Sequence, residues 1–121
     1  MGTAYFIVLD SEEPGFDPFV DGKLLTKRLT SVNKVAHSLG LKHLEDYAFQ
    51  DLSDFGGPDL EPEWFDANEG ISWASGVLQY IRENPKAVKD VDEVAADLAD
   101  YIRVFEEADK RGLKWHLELD F

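Results

Sequence analysis

The strongest constraint on the fold is a pair of strand patterns at opposite ends of the chain. Residues Ala4–Leu9 (AYFIVL) form a continuous aromatic and β-branched run, which is typical of a strand covered on both faces or central in a sheet. Residues 115–121 (WHLELDF) alternate strictly between apolar and polar side chains, which is typical of a half-buried strand. No other strong strand pattern occurs, so we expect the two ends to pair in one sheet.

Three segments between these strands have the apolar spacing of amphipathic helices. They are predicted at 22–40, 67–83 and 90–112. The first helix is expected to stop at Gly40 and the last at Gly112. The predicted class is therefore α+β, with a small sheet of the N-terminal and C-terminal strands packed by three helices. The predicted N-terminal caps of the second and third helices are Asp66 with Glu69 and Asp90 with Glu93.

Two stretches rich in Pro and Gly predict loops, at 11–22 and 41–63. In the first loop, the apolar side chains of Phe16, Phe19 and Val20 are expected to fold back onto the core. In the second, the pattern is irregular and predicts no more than a short helical turn or strand. A length of 121 residues is usual for one core, so residues 1–121 are predicted to form a single domain.

The charge balance excludes several classes of partner. The chain has 25 Asp plus Glu against 12 Lys plus Arg, a formal net charge of -13. Such a field repels phosphate backbones and anionic lipids, so neither nucleic acid nor a membrane surface is an expected partner. The chain has no Cys, and its apolar run at Ala4–Leu9 is too short for a signal sequence or a membrane span, so a cytoplasmic location is the default expectation.

The charge is concentrated locally with aromatic side chains. Between His43 and Ile81 there is no Lys or Arg, although nine acids and seven large rings fall there. Carboxylates that steer a cationic partner, beside rings that anchor it, are typical of a protein-binding surface. The alternative is a solvated acidic loop whose rings belong to the core. The candidate binding residues are Asp51, Asp54, Asp59, Glu61, Glu63, Trp64 and Trp73.

Metal and catalytic patterns are weak. Four acids of the second loop are close enough in sequence to hold calcium or magnesium, but their spacing is not that of an EF-hand, and no metal site is predicted. His37 and His43 do not have zinc-ligand spacing. His116, predicted to point away from the core beside Glu118, is a candidate general base. No nucleophile elbow, phosphate-binding glycine loop or dinucleotide motif occurs, so no catalytic residue or cofactor is predicted.

Three stretches together resemble a family of small acidic bacterial proteins of uncharacterised function. They are WFDANEGI at 64–71, FDPFVDGK at 16–23 and WHLELDF at 115–121. The resemblance spans nearly the whole chain. It implies a bacterial, cytoplasmic, single-domain protein, and it implies no activity, ligand or catalytic residue.

Two classes of function remain open. The first is a small acidic interaction module that binds a basic protein, as immunity proteins bind nuclease toxins or as inhibitors bind enzymes. The alternative is a small ligand-binding protein or enzyme with a carboxylate-lined and Trp-lined cleft formed by Trp64, Trp73 and His116. The sequence favours the non-enzymatic class. A homo-oligomer is also possible, since the C-terminal strand or a helix face of one copy can complete the core of another.

Overall fold

The fold was analysed in a computed structural model, which describes residues 4–49 and 61–120. These residues form four α-helices and a three-stranded sheet, with two short 3-10 helices. In chain order the elements are β1 (Ala4–Leu9), α1 (Lys23–Lys27), α2 (Leu29–Ser38), a 3-10 helix (Leu44–Tyr47), β2 (Phe65–Asp66), α3 (Ala67–Glu83), a second 3-10 helix (Pro85–Ala87), α4 (Val91–Lys110) and β3 (Lys114–Asp120).

The sheet is antiparallel and has β3 at its centre, in the order β1-β3-β2. The β1–β3 ladder extends from the pair Ala4 and Asp120 to the pair Leu9 and Trp115. On the other side of β3, the two-residue strand β2 places Phe65 opposite Trp115. The α+β class and the pairing of the two end segments are therefore confirmed.

The core lies on the face of the sheet to which Trp115 points. This side chain is 1% exposed. Its rings lie 4.5 Å from Phe105 of α4 and 4.9 Å from Tyr47 of the first 3-10 helix, measured between centroids. The indole N–H donates a hydrogen bond of 2.9 Å to the carbonyl of Asp66. One side chain thus packs the centre of the sheet against α4 and ties it to β2.

The helices α3 and α4 are in close contact at Gly70. A β-carbon built at this residue would lie 2.9 Å from three ring atoms of Phe105, a distance that real β-carbons essentially never show. Phe105 is itself 2% exposed and packs against Trp115, so its ring has little room to move. The absence of a side chain at Gly70 therefore allows α3 to pack directly on the aromatic core.

The predicted first helix, 22–40, is divided in two at Arg28. This residue has φ −99° and ψ 24°, which separates α1 from α2. Hydrogen bonds of four-residue spacing nevertheless continue on both sides, from Arg28 N–H to the Leu24 carbonyl and from Val32 N–H to the Arg28 carbonyl. The three- and four-residue spacing of the apolar side chains therefore continues across Arg28, so the sequence pattern does not reveal the break between α1 and α2.

The predicted capping bonds are absent, although the cap positions are right. Asp66 and Asp90 precede α3 and α4, but neither side chain makes a capping hydrogen bond. The Asp90 carboxylate instead lies 2.6 Å from the guanidinium of Arg28, and this hydrogen bond lowers the pKa of Asp90. Glu69 accepts a hydrogen bond of 2.8 Å from the hydroxyl of Tyr47. The prediction that Asp66 and Asp90 cap the helices through their side chains was therefore wrong, and the carboxylates of Asp90 and Glu69 bind partners distant in sequence instead.

The loop 11–22 is only partly folded back onto the core. Val20 is 4% exposed and Phe16 is half-buried, as expected, but Phe19 is 70% exposed. Arg103 of α4 holds this turn by donating to the carbonyls of Asp17, at 3.1 Å, and Phe19, at 2.8 Å. With the main chain fixed and Val20 directed inward, the neighbouring ring of Phe19 faces solvent, so the prediction for Phe19 was wrong.

A carboxylate of α4 caps the N-terminal end of α1. Asp97 accepts hydrogen bonds from the backbone N–H groups of Leu24, at 3.1 Å, and Leu25, at 3.0 Å. Burial raises the pKa of Asp97, and the hydrogen bond from Leu25 acts in the opposite direction. The start of α1 is therefore capped by a residue more than seventy positions away in the sequence.

This carboxylate gives a pH test of the packing. Because the pKa of Asp97 is higher in the folded chain than in the unfolded chain, folding favours proton uptake there, and stability from this group increases as pH falls. We expect the free energy of unfolding of the wild type, relative to Asp97→Asn, to increase as pH is lowered from about 7 to about 4 in urea titrations. A difference that stays constant or decreases over this interval would contradict the prediction.

Candidate functional site

The candidate site lies on the other face of the sheet, which we call the outer face. It carries the even-numbered side chains of β1 and β3, in which Phe6 lies opposite Glu118 and Val8 lies opposite His116. These side chains point away from Trp115 because successive residues of a strand alternate between the two faces. Phe6 is 36% exposed, so this face is only partly covered.

His116 is buried on this face beneath two rings. Its ring centroid lies 4.4 Å from that of Trp64 and 5.7 Å from that of Phe49. Its side chain is 3% exposed, and Nε2 lies 2.9 Å from a carboxylate oxygen of Glu118. Within residues 4–49 and 61–120, Nδ1 has no hydrogen-bond partner. The position of His116 beside Glu118 and away from the Trp115 core is confirmed, but Trp64 and Phe49 close the ring off from a substrate.

A groove of about 490 Å³, which we call the Trp64 groove, opens beside this cluster. Trp64 lines it together with the end of β1 and the turn that follows this strand. Two of the lining residues are acidic, Asp10 and Glu12, and none is Lys, Arg or His. The residues that line it include Val8, Leu9, Asp10, Glu12, Pro18 and Trp64.

The acids around this groove are not neutralised by neighbours. None of the ion pairs found within the described residues includes Glu12, Glu61 or Glu63, and all three side chains belong to exposed residues. The carboxylate of Asp10 accepts the backbone N–H of Lys114 at 3.0 Å and so also holds the end of the sheet. Among the described residues, the two acids that line the groove, Asp10 and Glu12, thus have no ion-pair partner.

The structure covers only part of the predicted binding residues. Asp51, Asp54 and Asp59 lie outside the described residues, as does most of the loop that was considered for calcium. Glu61 and Glu63 are exposed and precede Trp64 directly in the chain. They lie within three residues of Trp64 in the chain, but neither lines the Trp64 groove.

The two predicted tryptophans have different environments. Trp64 is half-buried on the outer face, where it lines the Trp64 groove. Trp73 of α3 is 2% exposed, and its indole N–H donates a hydrogen bond of 2.7 Å to the carbonyl of Lys42. Trp64 thus offers surface to a partner, whereas Trp73 offers almost none.

The residues that sequence reasoning missed come from the turn after β1. Asp10 and Glu12 lie far from Trp64 in sequence, but the turn brings both to the same groove. The acidic run after the strand is visible in the sequence, yet nothing local indicates which segment it meets. A contact between remote segments of this kind depends on the sheet register, which single-sequence patterns do not give.

Two histidines also come together beside α2. The ring centroids of His37 and His43 lie 6.4 Å apart, and both line a shallow groove of about 390 Å³ with Glu45. Nevertheless, within the described ranges no group of three or more His, Asp or Glu side chains is placed to hold a metal ion.

A scan against models of protein families found no match, and searches of curated proteins and of solved structures found none. Among the described residues, no helix is long and apolar enough to cross a membrane. The resemblance to small acidic bacterial proteins stays a prediction.

Proposed function

We propose that this protein is an interaction module that binds a basic protein at the Trp64 groove, as immunity-like or inhibitor-like proteins bind their targets. The observation that carries the proposal is the composition of this groove. A large ring and the carboxylates of Asp10 and Glu12 line it, and no cationic side chain does.

Charge supports a basic partner. With a net charge of -13, the chain attracts cations from a distance, and the exposed acids Glu12, Glu61 and Glu63 direct that attraction toward the groove. Near the C-terminal end of α4, the protein's own cations already have carboxylate neighbours, as Arg103 has in Asp100 and Arg111 has in Glu107. These cations therefore compete little with those of a partner.

The packing of Trp64 supports the same role. Its indole packs on the imidazole ring of His116, which belongs to strand β3. The indole is therefore already in position when a partner binds. Tryptophan is enriched among residues that dominate binding energy, because it buries a large area at a low cost in side-chain entropy. An ordered ring among acids provides affinity where the acids provide steering.

The alternative, a ligand-binding or catalytic cleft formed by Trp64, Trp73 and His116, has less support. Trp73 is 2% exposed among the helices, and the His116 side chain is 3% exposed beneath Trp64. A ligand that reaches the surface would meet only one of the three rings.

The proposal is tested with a cationic probe and matched charge variants. The probe is a short synthetic peptide of alternating lysine and serine, and binding is measured by calorimetry at low and at high salt. We expect the triple variant Glu12→Gln, Glu61→Gln, Glu63→Gln to bind it about 10-fold more weakly at low salt, since each exposed charge contributes roughly 0.5 kcal/mol. The difference should shrink at high salt because exposed charges are screened.

The control variant removes the same charge elsewhere. Glu83→Gln, Asp92→Asn and Glu93→Gln lie near the C-terminal end of the 17-residue helix α3, about 25 Å from its start after Trp64. This variant is expected to bind the peptide nearly as well as the wild type. An equal loss in both variants would show that only the net charge matters and that the groove is not the site.

A further inference from the structure

A second and larger groove lies on the outer side of β1. Its volume is about 620 Å³, and we call it the Phe19 groove. Its walls are apolar, and its rim carries two exposed acids and one lysine. The residues that line it include Phe6, Asp17, Pro18, Phe19, Asp21 and Lys23.

The apolar walls of this groove are unusually open to water. Phe19 is 70% exposed and Phe6 is 36% exposed, and among the described residues only Leu39, at 41%, is another large apolar side chain of this kind. Two exposed rings that line the same groove are stronger evidence of a binding site than single exposed rings, because together they can cover an apolar side chain of a partner.

The turn that presents Phe19 is held in place. Asp17 accepts a hydrogen bond of 3.0 Å from the backbone N–H of Phe19, and Asp21 accepts one of 3.2 Å from Lys23. Arg103 adds two bonds to the carbonyls of this turn, so α4 fixes it from below. The ring is therefore exposed by a fixed main chain, and a partner would not have to order the turn on binding.

The Phe19 groove adjoins the Trp64 groove. Ile7 and Pro18 line both, so the two form one continuous surface along β1. A segment of a partner that contacts Trp64 can continue over Pro18 to Phe19 without leaving this surface.

The charges around the groove distinguish between occupants. Asp17 and Asp21 on its rim, Glu118 next to Phe6 on the outer face, and Asp100, which pairs with Arg103 beside the turn, outnumber the two cations Lys23 and Arg103. A second copy of the chain would bring the same acids and its own net charge of -13 against them, which opposes self-association through this groove. A segment that carries lysine or arginine is attracted instead.

We propose that the Phe19 groove binds a large apolar side chain of a basic partner, on an extended segment where lysine or arginine flanks that side chain. The inference rests on the proposed function, from which it takes the charge of the partner. It adds the chemistry of recognition, in which acids select the flanking cations and the rings of Phe6 and Phe19 select the apolar side chain.

The experiment compares two peptides on the full chain. One is the lysine and serine peptide described above, and the other has a single central phenylalanine in place of serine. We expect the phenylalanine peptide to bind about 10-fold more tightly, since burial of an aromatic ring is favourable and part of that gain is lost in ordering the peptide. Phe19→Ser should abolish this gain and leave the binding of the serine peptide unchanged. Leu39→Ser, at an exposed apolar site outside both grooves, should preserve the gain.

The outcomes separate this inference from the proposed function. If the serine peptide binds and phenylalanine adds no affinity, or if the gain survives Phe19→Ser, the apolar site is overturned while the acidic site stands. If neither peptide binds the wild type, both proposals fail. A dimer in light scattering that Phe19→Ser converts to a monomer would assign the groove to a second copy. A melting temperature lowered by Phe19→Ser far more than by Leu39→Ser would assign it to this chain's own packing. Either of these last two results also overturns the inference.

Discussion

Replacing Trp115 with alanine is expected to lower the free energy of unfolding by about 4 kcal/mol, the largest effect of any single substitution considered. The side chain is 1% exposed and packs against Tyr47, Phe65 and Phe105, so its loss opens a cavity between the sheet and the helices. Its hydrogen bond to the Asp66 carbonyl is lost as well. Urea titration followed by circular dichroism measures the change without depending on tryptophan fluorescence.

Trp64→Ala provides the matched control for this substitution. It removes the same chemical group, but Trp64 is half-buried and packs against His116 on the outer face. We expect it to lower the free energy of unfolding by less than half as much as Trp115→Ala. Equal losses from the two variants would mean that the outer face contributes to the core as much as the inner face does.

Replacing Gly70 with alanine is expected to lower the free energy of unfolding by about 2 kcal/mol, the second largest effect. In most helices this substitution is stabilising, because alanine has a higher helix propensity than glycine. At Gly70 the added methyl group would lie 2.9 Å from the ring of Phe105, which is held by Trp115 behind it. Either α3 or the ring has to move, and the cost of that movement exceeds the gain in propensity.

The control lies on the same helix. At Gly76 the nearest atom to a built β-carbon is a methyl group of Leu41, at 3.4 Å, on a flexible side chain that is only partly buried. Gly76→Ala is therefore expected to leave stability unchanged or to raise it by up to about 1 kcal/mol. If Gly70→Ala and Gly76→Ala changed the stability in the same direction in thermal or urea unfolding, steric contact with Phe105 would not explain why residue 70 is glycine.

The elements with a regular period could be predicted from the sequence. The strict alternation at 115–121 and the apolar run at Ala4–Leu9 predicted two paired strands, and both are found. The three- and four-residue spacing in α3 predicted Ala67–Glu83, which are the observed bounds. These patterns are reliable because each depends on which faces of one element are apolar, and the chain itself records that.

The environment of individual side chains could not be predicted in the same way. His116 has the polar position of an alternating strand, yet it is 2% exposed because Trp64 and Phe49, from a remote segment, cover it. Phe19 has an apolar side chain in a loop that also contributes Val20 to the core, yet it is exposed because Arg103 fixes the turn. Both differences arise from contacts between segments distant in sequence.

The candidate site was predicted in part for the same reason. The lack of Lys and Arg around Glu61, Glu63 and Trp64 is a local property, and it marked this segment as a candidate. The contribution of Asp10 and Glu12 depends on the turn after β1 and on the register of the sheet, so it became visible only in three dimensions.

The central position of β3 also determines when the sheet can form. At the end of the ladder, Asp10 and Lys114 are hydrogen-bonded although they are 104 residues apart in the sequence. Closing so long a loop is entropically unfavourable, and topologies dominated by such contacts fold slowly. On the ribosome, β1 and β2 emerge without a strand to pair with, because the strand that pairs with both is synthesised after them. The helices can begin to form earlier, but the apolar run of β1 must wait for β3 before its backbone is satisfied.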